Sequence, residues 1–140
     1  MKKWTVEADR DRVDEVVDFV ETEIMSAECE KKAQRQIKMA VEEIFLNICA
    51  YAYQGETGSV ELTIDIDDNG MMSLCFADRG TPFDPLQKQD PDVHQPGRER
   101  QLGGLGIFMV KKTMDDMVYE YRDGQNTLTI IKRLRTENPA

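Results

Sequence analysis

The sequence predicts an α/β protein of the α+β kind, a two-layer sandwich in which helices cover one face of a mixed, mostly antiparallel sheet. Two early segments carry apolar residues at helical spacing, and from Ser59 onward the apolar period changes to two. Two turn signals, Asp68-Asn69-Gly70 and Asp123-Gly124, each join a pair of alternating segments as a hairpin. A length of 140 residues indicates one domain.

The first half of the chain predicts a strand followed by two helices. Residues 2–7 form the strand, and Asp9 caps the first helix. The apolar positions of that helix are Val13, Val16, Val17, Val20 and Ile24. The second helix runs from about Glu30 to Tyr53 and ends at Gln54-Gly55. Its apolar stripe consists of Ile37, Val41, Ile44, Ile48 and Ala52.

The second half predicts four strands and one helix, in the order β-β-lid-α-β-β. The strand from Ser59 has its apolar residues Val60, Leu62, Ile64 and Ile66 on one face. The next strand likewise has Met72, Leu74 and Phe76 on a single face. Residues 80–103 hold four of the five prolines and little periodicity, which predicts a lid. A helix spans about 104–114.

The last two strands complete the prediction. One alternates Met117, Tyr119 and Tyr121, and the other lies near 126–133. We expect the chain to fray after Leu134, so the single domain is assigned to 1–135 and a tail to 136–140.

Charge and composition exclude several classes of function. Eighteen basic and twenty-seven acidic residues give a formal charge of −9, which opposes binding to nucleic acid or to an acidic membrane. No apolar run approaches the roughly 20 residues of a membrane span, and the basic start lacks the apolar stretch of a signal peptide. A cytoplasmic location is expected. Cys29, Cys49 and Cys75 are expected to be reduced and mostly buried, without a zinc site or disulfide.

Glu43 and Asn47 lie one turn apart on the second helix, beside its apolar stripe. A carboxylate and an amide oxygen can therefore meet one ligand, or both can be ordinary solvent-facing residues. Glu42 lies a further hundred degrees round the helix, and residue spacing alone does not exclude it as the functional acid.

Strand alternation places Asp78 on the same inward side as Phe76. A carboxylate there is costly unless something donates hydrogen bonds to it, either a ligand amine such as that of adenine or the turn itself. Gly80 lets a flat group approach the backbone closely.

Gly103-Gly104-Leu105-Gly106 opens the third helix, and such a turn can hold phosphate at the helix N-terminus or act as a hinge. It lacks the following Gly-Lys-Ser or Gly-Lys-Thr of a P-loop. Arg98 and Arg100 lie just before it, either as phosphate ligands or as solvated loop charges. Lys111 and Lys112, one turn later, are expected to be surface lysines.

Taken together and in this order, the three motifs resemble the GHKL (Bergerat-fold) ATP-binding superfamily. Glu42 to Tyr53 resembles its N box, Asp78 to Pro85 its first glycine box and Gly103 to Ile107 its second. In its short length and in the segment from Asp78 to Pro85, the chain resembles the anti-sigma-factor serine kinases of the RsbW and SpoIIAB type. Histidine kinases usually carry Asn where this chain has Glu43.

The resemblance implies a role for each matching residue. Asn47 would hold Mg²⁺ bridging the phosphates of ATP, Glu43 would be the general base, and Asp78 would bind the adenine amine. The glycines Gly80, Gly104 and Gly106 would admit the nucleotide, and Phe83 and Leu105 lie in the same boxes. Either Gly103 or Gly104 is the first glycine of the turn. The family's arginine near this turn is replaced by Leu102, so no residue is assigned to the γ-phosphate.

The resemblance also implies a function. The chain is expected to transfer phosphate from ATP to a serine or threonine of a small antagonist protein of the STAS type, with a sigma factor as a second candidate partner and a homodimer as its state. The alternatives are a nucleotide-gated binding module without transferase activity, and a detached histidine-kinase ATPase domain. Acid-stable phosphoserine and acid-labile phosphohistidine distinguish the kinase hypotheses.

Overall fold

The structure is a computed structural model that describes residues 1–87 and 104–136. The side chains of Gln87 and Leu105 lie outside that description. The strands are β1 (Lys2–Glu7), β2 (Ser59–Ile66), β3 (Met71–Asp78), β4 (Asp116–Arg122) and β5 (Gln125–Arg133). The helices are α1 (Val13–Ser26), α2 (Lys31–Tyr51) and α3 (Gly104–Thr113), with short 3₁₀ turns at Arg10–Arg12 and Pro85–Gln87.

The five strands form one sheet in the order β1-β2-β3-β5-β4, and all four neighbouring pairs are antiparallel. The helices lie on one face of this sheet, so the predicted two-layer α+β sandwich is confirmed. Strands β3 and β5 are central partners although they are far apart in the sequence. Their register sets Asp78 opposite Asn126 at one end of the sheet.

The core lies between the helices and the sheet, as the apolar periodicities predict. Each helix contributes one buried stripe, and each central strand contributes alternate residues. The largest fully buried side chains include Phe45, Phe76, Ile37, Leu62 and Ile130. The inward parity of β3 is confirmed, since Met72, Leu74, Phe76 and Asp78 are all buried.

Turn residues end the elements where the sequence predicts them. The helix α2 ends at Tyr51, two residues before its predicted end, and Gln54 and Gly55 adopt positive φ angles of 49° and 86° in the turn that follows. Asp123 and Gly124 adopt 55° and 76° between β4 and β5, the conformation of a tight two-residue hairpin turn. In the β2–β3 turn the Asp67 carboxylate accepts hydrogen bonds from the amides of Asn69 and Met71.

Two chain segments differ from the predictions. Asp9 caps the short 3₁₀ turn Arg10–Arg12 by accepting from the Asp11 amide, and α1 begins only after that turn. The predicted fraying after Leu134 is wrong for the next two residues. Arg135 donates to the carbonyl of Ala27 at 2.7 Å, and Thr136 donates to the Glu30 carboxylate. These hydrogen bonds tie the end of β5 to the α1–α2 connection.

The three cysteines are half-buried rather than mostly buried, and no disulfide joins them in the described residues. In the described ranges no helix is both long and apolar enough to cross a lipid bilayer.

Candidate functional site

A pocket opens between α2, the ends of β3 and β5, and α3. Its wall is mostly apolar, with five polar side chains at its edges. The apolar part includes Ile44, Ile48, Ala52, Phe76, Ile107 and Leu128, and the polar side chains are Asn47, Asp78, Thr81, Tyr119 and Asn126. Such a pocket suits a flat apolar ring that carries a few hydrogen-bonding groups.

Asp78 lies at the end of β3 with 6% of its surface exposed. Its Oδ1 accepts hydrogen bonds from the Gly80 amide and from Asn126 Nδ2, both at 2.9 Å. Oδ2 has no hydrogen-bond partner within residues 1–87 and 104–136. Because the residue lines the pocket, one carboxylate oxygen is held by the protein and the other is available to a ligand amine.

Asn126 is a functional candidate that the sequence reasoning missed. Besides Asp78, its Nδ2 faces the carbonyl oxygens of Gly80 and Thr81, at 3.3 and 3.0 Å. Its Oδ1 accepts from the Phe83 amide at 3.2 Å and from the Tyr119 hydroxyl. One buried side chain therefore fixes both Asp78 and the segment that follows it. The inward parity of Asn126, Leu128 and Ile130 on β5 is the signal that predicts it.

Phe83 lies at the pocket beside Tyr51 from the end of α2. Their ring centroids are 5.6 Å apart, with the planes inclined by 25°, in a stacked arrangement. Phe83 therefore lines the pocket, and its contact with a nucleotide stays a prediction.

Gly80 is required by the close approach of α2. A Cβ at this position would overlap the carbonyl group of Ala52, and the next amide, that of Thr81, donates to the Ala52 oxygen at 2.7 Å. The C-terminal end of α2 and the turn after Asp78 are therefore joined directly. Space for a nucleotide at Gly80 stays a prediction.

Tyr53 reinforces this junction. Its hydroxyl donates to the Ser59 carbonyl at 2.5 Å and accepts from the Arg79 amide at 3.0 Å. Its ring also lies against Gly58, where a Cβ would overlap it. One tyrosine therefore connects the end of α2, the start of β2 and the residue after Asp78.

Glu43 and Asn47 are both half-buried on α2, and Asn47 lines the pocket. Asn47 Nδ2 faces Glu43 Oε1 at 3.4 Å, so its Oδ1, the atom able to bind a metal, has no partner in the described part of the chain. Burial raises the pKa of Glu43, and the contact with Asn47 opposes that rise. A carboxylate with a raised pKa is suited to accept a proton.

Gly106, in the first turn of α3, lies against Glu43. A Cβ at this position would overlap the Glu43 carboxylate. The glycine therefore makes room for the candidate base, a role that the sequence reasoning did not assign to it. Gly104 begins α3, whose first amides have no partner within the helix.

Several predicted site residues cannot be placed. Arg98, Arg100, Gly103 and most of the predicted lid lie outside the described residues, as does the side chain of Leu105. Of the two lysines in α3, Lys112 lies over the Phe108 ring, 5.3 Å from its centroid.

The donor set fits a magnesium ion that is bound mainly through phosphate. Within the two described ranges there is no group of three or more His, Cys, Asp or Glu side chains that could hold a metal. Mg²⁺ typically takes one or two protein oxygens and completes its octahedron with water and substrate phosphates. Asn47 Oδ1, beside Glu43, can supply such a ligand.

The antiparallel sheet covered by helices on one face, with a buried Asp at a strand end opposite a Glu-x-x-x-Asn helix, defines a GHKL-type ATP-binding domain. The chain belongs to the histidine kinase-like ATPase domain family, whose model matches residues 6–132.

Curated relatives are serine kinases. The serine/threonine-protein kinase BtrW of Bordetella bronchiseptica is 28% identical over 103 residues, covering 73% of this chain and 72% of the relative. The serine-protein kinase RsbW of Listeria monocytogenes is 30% identical over 98 residues, covering 66% of this chain and 62% of the relative. RsbW of Bacillus cereus is 28% identical over 108 residues, covering 73% and 67%.

Among solved structures, the histidine kinase AdeS of Acinetobacter baumannii aligns with a TM-score of 0.51 and 14% identity. The alignment covers 97% of this chain and 70% of that chain. At this identity the likeness supports the fold alone.

Proposed function

We propose that this protein is an ATP-dependent serine kinase that phosphorylates a small antagonist protein of the STAS type, and that a sigma factor is its second partner. The observation that carries the proposal is one pocket that has a hydrogen-bond acceptor at one end and a candidate base and metal ligand toward the other. Asp78 presents a free carboxylate oxygen at one end, and Glu43 and Asn47 lie along α2 toward the other. The serine kinases among the relatives support the choice of acceptor.

At the end of the pocket that receives the nucleobase, Asp78 Oδ2 accepts a hydrogen bond from the exocyclic amine of adenine. Guanine would present a carbonyl oxygen there, which a carboxylate repels. The apolar wall covers the two faces of the ring. Because Asn126 and the Gly80 amide hold Oδ1, the carboxylate needs little reorientation when the nucleotide binds.

At the phosphate end, Asn47 Oδ1 supplies a ligand to Mg²⁺, and the first amides of α3 face the phosphates. When bound there, Mg²⁺ would neutralise charge on the transferred phosphoryl group. Glu43 accepts the proton of the attacking serine hydroxyl, and its raised pKa matches that role. The homodimer and the cytoplasmic location stay predictions.

The experiment is a transfer assay with γ-labelled ATP and Mg²⁺ in a lysate of the source organism, quenched in acid. We expect an acid-stable labelled small protein. Glu43→Ala should retain ATP binding and lose transfer, whereas Asp78→Asn should lose binding. Glu42→Ala is the matched control, because it removes a carboxylate from the neighbouring position.

Three results would change the proposal. Transfer at the wild-type rate by Glu43→Ala, with a loss in Glu42→Ala, would move the base to Glu42. ATP binding without any labelled protein would indicate a nucleotide-gated binding module. Label that is lost in acid would indicate transfer to histidine.

A further inference from the structure

The N-terminal half of α2 carries a strip of positive charge. Four exposed cations, here named the α2 basic strip, lie within eight residues: Lys31, Lys32, Arg35 and Lys38. No acidic residue lies between positions 31 and 41. The chain as a whole has a formal charge of −9, and the neighbouring helix α1 contains five acidic residues and no basic one. The strip is therefore a local reversal of the protein's charge.

The strip makes no ion pair within the protein as far as it is described. In residues 1–87 and 104–136, none of its four cations has a carboxylate oxygen within 4.0 Å. Other exposed cations do have such partners, for example Lys2 with Glu23 at 3.0 Å and Arg122 with Glu120 at 2.7 Å. The positive charge of the strip is thus available to another molecule.

The first two cations of the strip oppose the dipole of the helix that carries them. Lys31 and Lys32 lie in the first turn of α2, where the helix dipole disfavours cations. That turn has no acidic residue, and Glu30 at the N-cap makes no side-chain capping bond. Its carboxylate instead accepts from the amide and hydroxyl of Thr136, at 2.8 and 3.0 Å. The helix dipole therefore gives no reason for the two cations in the first turn.

The strip leads toward the candidate catalytic residues. At about 1.5 Å per residue, Lys38 lies about 7.5 Å before Glu43 along the helix axis, and Lys31 about 18 Å before it. Met39, which is 37% exposed, adds an apolar contact within the strip. The strip lies on the face of α2 that also carries Glu42, and Glu43 lies about a hundred degrees round the helix from that face. A molecule docked on the strip would therefore reach Glu43 from the side of the helix.

We propose that the α2 basic strip docks an acidic face of the protein that receives the phosphate. The inference rests on the proposed kinase function and specifies the chemistry of its protein substrate. An acidic partner is repelled by most of a surface of net negative charge, so the strip selects one orientation of approach. In that orientation the partner's serine is brought to the Glu43 end of α2.

The test measures binding of defined peptides by fluorescence anisotropy. One labelled peptide carries a serine, two alanines and six consecutive glutamates, and its matched control has six glutamines instead. The strip variant is Lys31→Glu/Arg35→Glu/Lys38→Glu. The control variant, Lys3→Glu/Arg10→Glu/Arg122→Glu, has the same net charge with its changes outside α2.

We expect the wild-type protein to prefer the glutamate peptide, with binding that weakens at high salt. The dissociation constant should rise about tenfold or more in the strip variant and about twofold or less in the control variant. Equal binding of the two peptides, or equal losses in the two variants, would overturn the proposal.

Two further measurements separate docking from other causes. The strip variant should unfold at a temperature close to that of the control variant, because the two carry the same net charge and every substituted side chain is exposed. MgATP binding, measured in parallel, should be unchanged. Failure of the wild type to bind MgATP would refute the kinase function itself, whereas intact MgATP binding with no effect of charge reversal refutes the docking surface alone.

Two other occupants are outcomes of the same test. A single-stranded oligonucleotide that displaces the glutamate peptide at equal concentration would assign the strip to nucleic acid. A wild-type dimer that becomes monomeric in the strip variant, by sedimentation, would assign the strip to the acidic α1 of a second copy. Either result would overturn the proposal.

Discussion

Asn126 Nδ2 lies 2.9 Å from Asp78 Oδ1, where the two buried side chains face each other across the paired strands β3 and β5. This contact fixes the carboxylate before any ligand arrives. Oδ1 of the same asparagine accepts from the Phe83 amide. Its Nδ2 also faces the carbonyl oxygens of Gly80 and Thr81, which lie between Asp78 and Phe83 in the sequence. One side chain therefore positions both Asp78 and the start of the predicted lid.

Asn126→Ala should destabilise the protein and weaken nucleotide binding. It leaves several buried polar groups without partners, which costs about 1–3 kcal/mol of unfolding free energy. MgATP affinity should fall because Asp78 loses a donor. Thr127→Ala is the matched control, since its hydroxyl bonds at the exposed opposite face of β5. Urea unfolding and calorimetric titration measure both effects, and equal losses in the two variants would contradict the role.

Glu43→Gln should stabilise the protein at neutral and alkaline pH. Burial raises the pKa of Glu43 above its ordinary value of 4.5, so the folded state binds the proton more readily than the unfolded state. The contribution of Glu43 to stability is therefore fully present in acid and is lost as pH rises through the folded pKa. Glutamine removes this loss. Unfolding curves from pH 4 to 8 should show a gain that disappears toward acid, and a gain independent of pH would contradict the assignment.

Gly106→Ala should stabilise the wild-type protein less than it stabilises a Glu43→Ala background. The new methyl group overlaps the end of the flexible Glu43 side chain, so the carboxylate must move aside and part of the helix gain is lost. Once the carboxylate is removed, the helix preference for alanine over glycine, about 1 kcal/mol, remains. A double-mutant cycle measured by urea unfolding gives the coupling, and additive effects would mean that the two residues do not touch.

Cys49 should react slowly with iodoacetamide in the folded protein. Burial, followed by the nearby charge of Asp9, raises the pKa of its thiol from 9.0 to about 11. At pH 8 the reactive thiolate is therefore much scarcer than in the unfolded chain, and alkylation should be at least about tenfold slower. Mass spectrometry of digests from native and urea-unfolded protein gives the two rates. Equal rates would show that the thiol is ionised and accessible.

The fold was predictable from the sequence because its elements repeat simple periods. Alternation along β3 predicts not only a strand but also that Asp78 points inward, and the structure confirms both. The Glu43 and Asn47 pair was placed correctly beside the apolar stripe of α2, since helical spacing fixes the relative direction of their side chains.

What the sequence did not reveal is which groups meet across long separations. Asn126 carries the same inward parity as Asp78, but spacing reports the face of a strand and not the partner across it. The glycines show the same limit. A single sequence cannot say that Gly80 makes room for the Ala52 carbonyl, or Gly106 for the Glu43 carboxylate, because both contacts arise from tertiary packing.

The sheet order has a consequence for folding kinetics. The hairpins β2–β3 and β4–β5 each close over a short turn, whereas β3 and β5 join residues 48 positions apart at Asp78 and Asn126. Closing a long loop costs more entropy before any contact is gained, so we expect the hairpins to form early and the seam between them late. The pocket proposed for the nucleotide lies on that seam, so we expect the protein to acquire its affinity for ligand only in the last step of folding.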